Sequence, residues 1–308
     1  VVSFPFTPGH EIVGELEDGS RVVVESVLHC AVRGIEPVCD QCSLGQTHLC
    51  ERTAFGSLEP GLQTGYCTDT GGGWGTWLVA HEDQLRPVPD DVSDEAGVMV
   101  EPAACAVHAA STVDDRPVAV IGAGTLGLST IAALRQSSGR QRPILATAKH
   151  PEQRALALQL GADTVVAPDE LARAVRRTTG SMRTGDQVTG GIDAVVDCVG
   201  SEASLAQALS VVAPGGTIVL VGMPGRVSVD LTSLWHREVE LVGSYAYGTE
   251  ERGRTFDLAL QLVRDADLGR LVSALYPIDR YAEALAHAAD AGRRGAVKIA
   301  FDLRGERR

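Results

Sequence analysis

The sequence predicts an α/β protein of two domains, one mostly β and the other built on a doubly wound parallel sheet. Three observations carry this expectation. Strand and helix alternate through the middle of the chain, short β-branched runs between Gly- and Pro-rich turns fill its first third, and a helix and a strand near the C-terminus fall outside the alternation. With 308 residues, 44% of them apolar, the chain is long enough for two cores rather than one.

Up to about Val107, runs such as residues 21–25 and 76–80 read as short strands with little helical periodicity between them. From Pro117 the pattern changes. Residues 117–121 read as strand, 126–136 as helix, 144–147 as strand and 152–160 as helix, followed by strands at 194–197 and, after Pro214-Gly215-Gly216, at 217–221. Alternation of this kind demands parallel strands joined by crossover helices. From about Gly248 a helical stretch at 256–264 and a final strand at 297–301 no longer follow the repeat and are assigned back to the first domain. The predicted division is therefore 1–107 with 248–308 against 108–247.

Net charge is −13 and no Lys/Arg-rich run interrupts it, so a phosphate-backbone partner has no electrostatic footprint and nucleic acid is excluded as a partner. No stretch approaches the roughly 20 apolar residues needed to span a bilayer, and Val1-Val2-Ser3-Phe4-Pro5 lacks a signal-peptide charge pattern. A soluble cytoplasmic protein is expected. Three of the seven cysteines, Cys39, Cys42 and Cys50, crowd into one loop, which suits metal binding in a reducing compartment. Cys67, Cys105 and Cys198 lie in apolar runs and read as small core residues.

Gly122-Ala123-Gly124-Thr125-Leu126-Gly127 follows an apolar strand and opens an apolar helix, the context in which G-x-G-x-x-G binds a dinucleotide. Gly122 makes the turn, Gly124 lets backbone approach the pyrophosphate, and Gly127 permits close helix–strand packing. About 20 residues further on, where a carboxylate would accept from the 2′-OH of NAD, stand Ala148, Lys149 and His150, with Arg154 nearby. None repels a 2′-phosphate, so NADP is favoured over NAD. Asp197 with Cys198, Val199 and Gly200, and Val221 with Gly222 and Met223, end strands on the ligand side of the sheet and are assigned to the nicotinamide half.

Cys39-x-x-Cys42 with Cys50 offers three soft thiolates for a tetrahedral zinc. Glu36 repeats the knuckle spacing and is the candidate fourth ligand, with Cys30 as the alternative. His10-Glu11 after a Pro8-Gly9 turn, and Glu101 inside an apolar run before Pro102, are candidate ligands of a second, open zinc. For Glu101, a helix-start carboxylate stabilised by the dipole is the bland reading. Trp74, Trp77 and Tyr66 suit either a cleft or a β core.

In order along the chain, Gly9-His10-Glu11, the Cys39, Cys42, Cys50 knuckle, Glu101-Pro102, Gly122 to Gly127, Asp197-Cys198-Val199-Gly200 and Gly243-Ser244 resemble the medium-chain zinc-dependent dehydrogenases, in their polyol and threonine dehydrogenase-like branch. The resemblance spans nearly the whole chain. It implies a GroES-like β domain holding zinc, a Rossmann domain holding NAD or NADP with Ser244 and Tyr245 at its exit, and an active site in the cleft between them. It also implies catalytic-zinc roles for His10, Glu11 and Glu101, the last bound directly or through water, and a homodimer or homotetramer. The implied reaction passes a hydride between NAD(P) and a secondary alcohol, polyol, sugar or cyclitol, with zinc as Lewis acid.

Two features depart from the family. Glu36 stands where the knuckle has its first cysteine. The family's Cys-Gly-Ser/Thr-Asp segment, which carries the first catalytic ligand and a proton-relaying hydroxyl, is absent from these residues and is expected to lie upstream of them. The alternatives are a zinc-free NADPH quinone or enoyl reductase, against which the cysteines and Glu101-Pro102 speak, and a non-catalytic dinucleotide-binding protein.

Overall fold

The computed structural model describes residues 1–138 and 142–306. Two compact units divide the chain: Val1–Ala104, Ala246–Ala289 and Lys298–Arg308 in the first, Cys105–Tyr245 and Asp290–Val297 in the second. The final two residues of the expected 248–308 segment lie outside the described residues.

The first unit opens with β1 (Val13–Glu15), β2 (Arg21–Val24) and β3 (Leu85–Pro87), an antiparallel sheet in that order. Val22, Val23 and Val24 are buried, so the β-branched run forms a strand because it has a core to enter. Residues 76–80, read from sequence as another strand, form no ladder. Trp77 is 71% and Val79 93% exposed, and β-propensity without burial or a partner strand does not make a sheet. Two short helices follow from local chemistry: α1 (Asp40–Ser43) in the cysteine loop, and α2 (Asp94–Gly97), whose Ala96 N–H is capped by the Ser93 hydroxyl at 3.2 Å. The longer α3 (Val100–Ser111) runs on through the unit boundary at Ala104.

The second unit alternates regularly: β4 (Val118–Ile121), α4 (Thr125–Ser138), β5 (Ile144–Thr147), α5 (Pro151–Gln159), β6 (Thr164–Val166) and α6 (Leu171–Thr179). After a small hairpin, β7 (Arg183–Thr184) with β8 (Gln187–Val188), come β9 (Ile192–Asp197), α7 (Glu202–Val211), β10 (Val212–Leu220), α8 (Thr232–His236) and β11 (Glu240–Gly243). Six strands make one parallel sheet in the order β11-β10-β9-β4-β5-β6. Every residue of β4 and β5 is buried, as required of strands covered on both faces. The chain winds outward one way from β4 and the other way from β9, so the switch point lies between their carboxyl ends, where doubly wound folds bind ligands.

The chain then returns to the first unit through the hairpin β12 (Thr249–Glu250) and β13 (Gly253–Arg254), α9 (Thr255–Asp265), β14 (Val272–Tyr276), α10 (Tyr281–Ala289) and β15 (Lys298–Phe301), the last parallel to β14. A buried Glu25 anchors this return, with Arg86 at 2.8 Å and Arg254 at 3.1 Å, while the Ser26 N–H donates to the Tyr247 hydroxyl at 2.7 Å. Residues 290–297 depart from the expected division and pack with the second unit. Gly292 lies so close to the start of α5 that a Cβ there would meet His150 Cδ2 at 2.4 Å.

Asp197, the last residue of β9, is fully buried. Its carboxylate accepts from the Val199 N–H at 2.9 Å, the Gly200 N–H at 3.2 Å and the Ser204 hydroxyl at 2.8 Å, fixing the turn from β9 into α7. Removing it strands three donors, so Asp197→Ala is expected to cost about 2–4 kcal/mol in urea denaturation, with dinucleotide binding weakened alongside. An unchanged urea midpoint would show that the cap contributes nothing.

Candidate functional site

The turn that presents His10 is built by close backbone contact. Gly9 has φ +102°, and a Cβ on it would lie 2.8 Å from Trp74 Cδ1 and 2.9 Å from Gly73 N. Two ladder-like bonds, Gly73 N–H to Gly9 O and Trp74 N–H to Pro8 O, both 2.9 Å, hold the two loops together. The Ser26 hydroxyl donates to the His10 carbonyl, and the Tyr66 ring lies 5.2 Å from the imidazole. Glu101 enters from the first turn of α3 and is 5% exposed. The ligand atoms of His10, Glu11 and Glu101 all lie within 4.8 Å of one another. The helix-start position and the metal-ligand reading of Glu101 are thus compatible.

Electrostatics prepare these donors. Burial, with a smaller push from Lys298 and against the pull of Glu11, lowers the His10 pKa, so the imidazole is neutral near pH 7 and keeps a lone pair for a metal. For Glu11, burial would raise the pKa, but the charge and hydrogen bond of Lys298, then His10, outweigh it and hold the carboxyl below its ordinary value. Lys298, from β15, pairs directly with Glu11 Oε2. Burial and the fields of Glu11 and Glu101 raise the Tyr66 phenol, which stays protonated. One imidazole and two carboxylates are the donor set of an open zinc site, and they fit that metal here. The sequence reading missed Lys298; its only signal is a lysine inside an otherwise apolar strand.

The second donor set is Cys30, Cys39, Cys42 and Cys50, with all four sulfurs within 4.8 Å of one another. The Cys30 and Cys50 sulfurs are 3.7 Å apart, and the Cys39 N–H donates to Cys30 Sγ at 3.4 Å. Cys39 stands at the start of α1 and Cys42 one turn on, the usual knuckle. Glu36 does not join them: it is exposed, and Cys30 takes the fourth place. The turn closed by the Ile35 N–H to Cys30 O at 3.0 Å swings Cys30 inward and packs Ile35 and Val38 on the cluster, an apolar shell that admits a thiol but penalises a carboxylate. Burial would raise the Cys39 thiol, yet N–H donors of Glu51 and Cys42 bring its pKa down to about 7. Burial, compounded by neighbouring sulfurs, raises Cys42 and Cys50. Four sulfurs this close ionise together only around a cation, and four thiolates fit tetrahedral zinc.

In the second unit the glycine roles are distinct. Gly122, at φ +93°, would put a Cβ 2.5 Å from Val199 Cγ2, and Gly127 would put one 1.8 Å from Gly122 O. Gly124 faces open space, where a pyrophosphate can approach the start of α4 at Thr125 and Leu126. Cys198, Val199, Gly200, Val221, Gly222, Met223, Ser244 and Tyr245 follow the carboxyl ends of β9, β10 and β11. Val199 is 47% and Met223 91% exposed, whereas Ser244 is buried with its N–H on Leu220 O at 2.9 Å. Cys198 is held under Thr130, 3.7 Å from its hydroxyl, and burial pushes the thiol up to about 12, so it is an inert packing residue. After β5, Ala148 is buried, Lys149 exposed, His150 stands just before the first turn of α5 with no capping bond from its side chain, and Arg154 donates through Nε to Ala148 O at 3.1 Å. Of the three aromatics, Tyr66 touches His10, Trp74 packs edge-on to Phe301 at 4.8 Å, and Trp77 is on the surface.

The exchange of Glu36 for Cys30 is directly testable by metal analysis. Cys30→Ser is expected to lower bound zinc by about one equivalent, as loss of one of four ligands opens the site. Glu36→Gln should leave zinc content unchanged, and the reverse pattern would return the fourth place to Glu36.

Two family models match the chain, an alcohol dehydrogenase GroES-like domain over residues 1–90 and a zinc-binding dehydrogenase over residues 125–265. The L-idonate 5-dehydrogenase of Vitis vinifera is 29% identical, in a match covering 98% of this chain and 81% of that protein. The sorbitol dehydrogenase of Arabidopsis thaliana is also 29% identical, with the same 98% and 81% covered. The crystal structure of L-idonate 5-dehydrogenase from Escherichia coli shares the fold, with a TM-score of 0.75 at 23% identity over 97% of this chain and 83% of that one. Joined to a His10, Glu11, Glu101 donor set and a glycine turn at a doubly wound switch point, these matches show that the chain belongs to the zinc-dependent medium-chain dehydrogenase family of oxidoreductases.

Proposed function

We propose that the protein passes a hydride between NADP or NAD and a secondary alcohol carbon of a small polyhydroxylated substrate, a polyol, sugar or cyclitol. The observation that carries this reading is the convergence of His10, Glu11 and Glu101 within 4.8 Å in a chain that also holds the dinucleotide turn. Relatives named for L-idonate and sorbitol favour a polyhydroxylated substrate. A zinc-free reductase leaves both donor sets without a chemical reason.

When bound, zinc supplies Lewis acidity toward a substrate oxygen and the dinucleotide supplies the hydride carrier. The chain's own part is to hold and orient. Neutral His10 and the carboxylate of Glu101 would offer ligand atoms, while Lys298 keeps Glu11 ionised and pairs with its Oε2. Backbone N–H groups at the start of α4 would receive the pyrophosphate. Lys149, His150 and Arg154, with no acid among residues 148–150, favour NADP. The substrate partner is a small molecule, and the protein is read as a cytoplasmic homodimer or homotetramer that binds no nucleic acid. Among the described residues no helix is long and apolar enough to cross a membrane.

The test is zinc stoichiometry followed by dinucleotide reduction with a panel of secondary alcohols, polyols and cyclitols. His10→Ala and Glu101→Ala are expected to lose one zinc and, with it, turnover by a factor of about 100 or more. Wild-type turnover in a folded His10→Ala protein rejects the assignment. In the same assay Lys149→Glu would put a carboxylate in the segment assigned to the 2′-phosphate, and should lower kcat/KM for NADP by about tenfold relative to NAD. An unmoved ratio removes Lys149 from cofactor selection.

A further inference from the structure

Beside the four cysteines lies a charge that the proposed chemistry does not use. Arg33 is 0% exposed. Its guanidinium donates to the main-chain carbonyls of Leu28 (3.0 Å), Phe55 (3.1 Å), Leu58 (3.0 Å), Glu59 (3.3 Å) and Gly61 (2.6 Å). All five of its N–H donors are thereby used. No carboxylate pairs with it among the described residues. Burial is the largest influence on the guanidinium and works against its charge; Cys67, Cys50 and Cys30, then Asp69, favour that charge only where they are ionised. A buried cation met only by neutral carbonyls is costly, because hydrogen bonds replace lost hydration but do not cancel net charge.

Its position on the chain links it to the cluster. The Arg33 N–H donates to Cys30 O at 3.1 Å, so ligand and guanidinium ride on one turn. The Arg33 carbonyl accepts from the Ser57 N–H at 3.0 Å, and Gly56 approaches so closely that a Cβ would lie 2.3 Å from that oxygen. Residues 55–61 are thus fastened to Arg33 from both its side chain and its backbone. Four thiolates around one zinc dication leave a net double negative charge. Such a charge would favour a buried guanidinium carried on the turn next to Cys30.

We propose that Arg33 is a positioning residue of the four-cysteine lobe: it offsets the charge of the thiolate–zinc cluster and straps residues 55–61 against it. The inference rests on the reading that this lobe binds zinc. Loading the metal and ordering the strap are then one event, and losing either loosens the other.

Zinc content and the rate of zinc release to a chromophoric chelator, measured on the full chain, test this. Cys42→Ser identifies the lobe's zinc by deleting it. Arg33→Met is expected to release that zinc about 10 to 100 times faster than wild type, as for other residues that support metal ligands from behind. Arg33→Lys keeps the charge but loses the fork, and should fall between the two. Release from folded Arg33→Met at the wild-type rate overturns the proposal, and Arg33→Lys releasing as fast as Arg33→Met overturns the role of charge. Should Arg33→Met fail to fold, hydrogen exchange on the wild type decides. Stripping the lobe zinc should speed exchange at the amides of Ser57 and Gly61, and unchanged protection there overturns the strap. If Cys42→Ser holds as much zinc as wild type, the zinc reading of the lobe itself fails, whatever Arg33 does, and the proposal falls with it.

Discussion

Crowding electron-rich groups into a space poor in water is unfavourable unless a cation shares it, and two places in this chain do so. His10, Glu11 and Glu101 bring their donor atoms within 4.8 Å, and four cysteine sulfurs do the same in a separate loop. Like charges at that range repel strongly once the dielectric falls. At the first place Lys298 supplies a positive charge that keeps Glu11 ionised. At the second, the low pKa of Cys39 and the raised values of Cys42 and Cys50 describe sulfurs that cannot all ionise on their own. Both places have donor sets that could hold a metal ion, which would relieve that crowding.

The precision of both candidate sites comes from backbone meeting backbone. At the His10 turn, Gly65 would put a Cβ 2.4 Å from Gly9 O, and Gly72 would put one 2.0 Å from Thr7 O. At the dinucleotide turn, Gly200 would put a Cβ 2.4 Å from Gly222 O, comparable to the Gly127 approach to Gly122 O at 1.8 Å. Side chains can swing away from a clash of this size; backbone atoms cannot. Each glycine therefore locks one loop at a fixed distance from another, so that a ligand atom or an amide is placed without needing a flexible side chain to hold it.

Much of the second unit was legible because its signals are periodic and local. Short apolar runs such as 118–121 and 144–147, alternating with helical stretches, read as strands buried on both faces, and a glycine turn between such a strand and a helix has few other uses. The first unit was less legible. The β-branched run at 76–80 has the composition of a strand but no ladder, since pairing depends on what lies opposite it. Lys298 contacts Glu11 across 287 positions, a separation that no pattern in one sequence reports. Residues 290–297 leave the first unit because Gly292 lets them lie against His150, a contact visible only in three dimensions.

Glu36 was misread for a related reason. Knuckle spacing is a rule about a particular turn, whereas a metal requires only that four sulfurs reach the corners of a tetrahedron. The chain meets that requirement with Cys30, six residues earlier, because the bond from Ile35 N–H to Cys30 O folds the intervening segment back on itself. Glu36, released from the shell, points to solvent, where its charge is hydrated. A carboxylate in the fourth place would have been a harder ligand among three soft ones and would have required its own hydration to be stripped. The displaced cysteine avoids both costs, and the turn that delivers it also sets the direction of the chain at residue 33, so the local geometry of residues 30–35 governs the whole lobe.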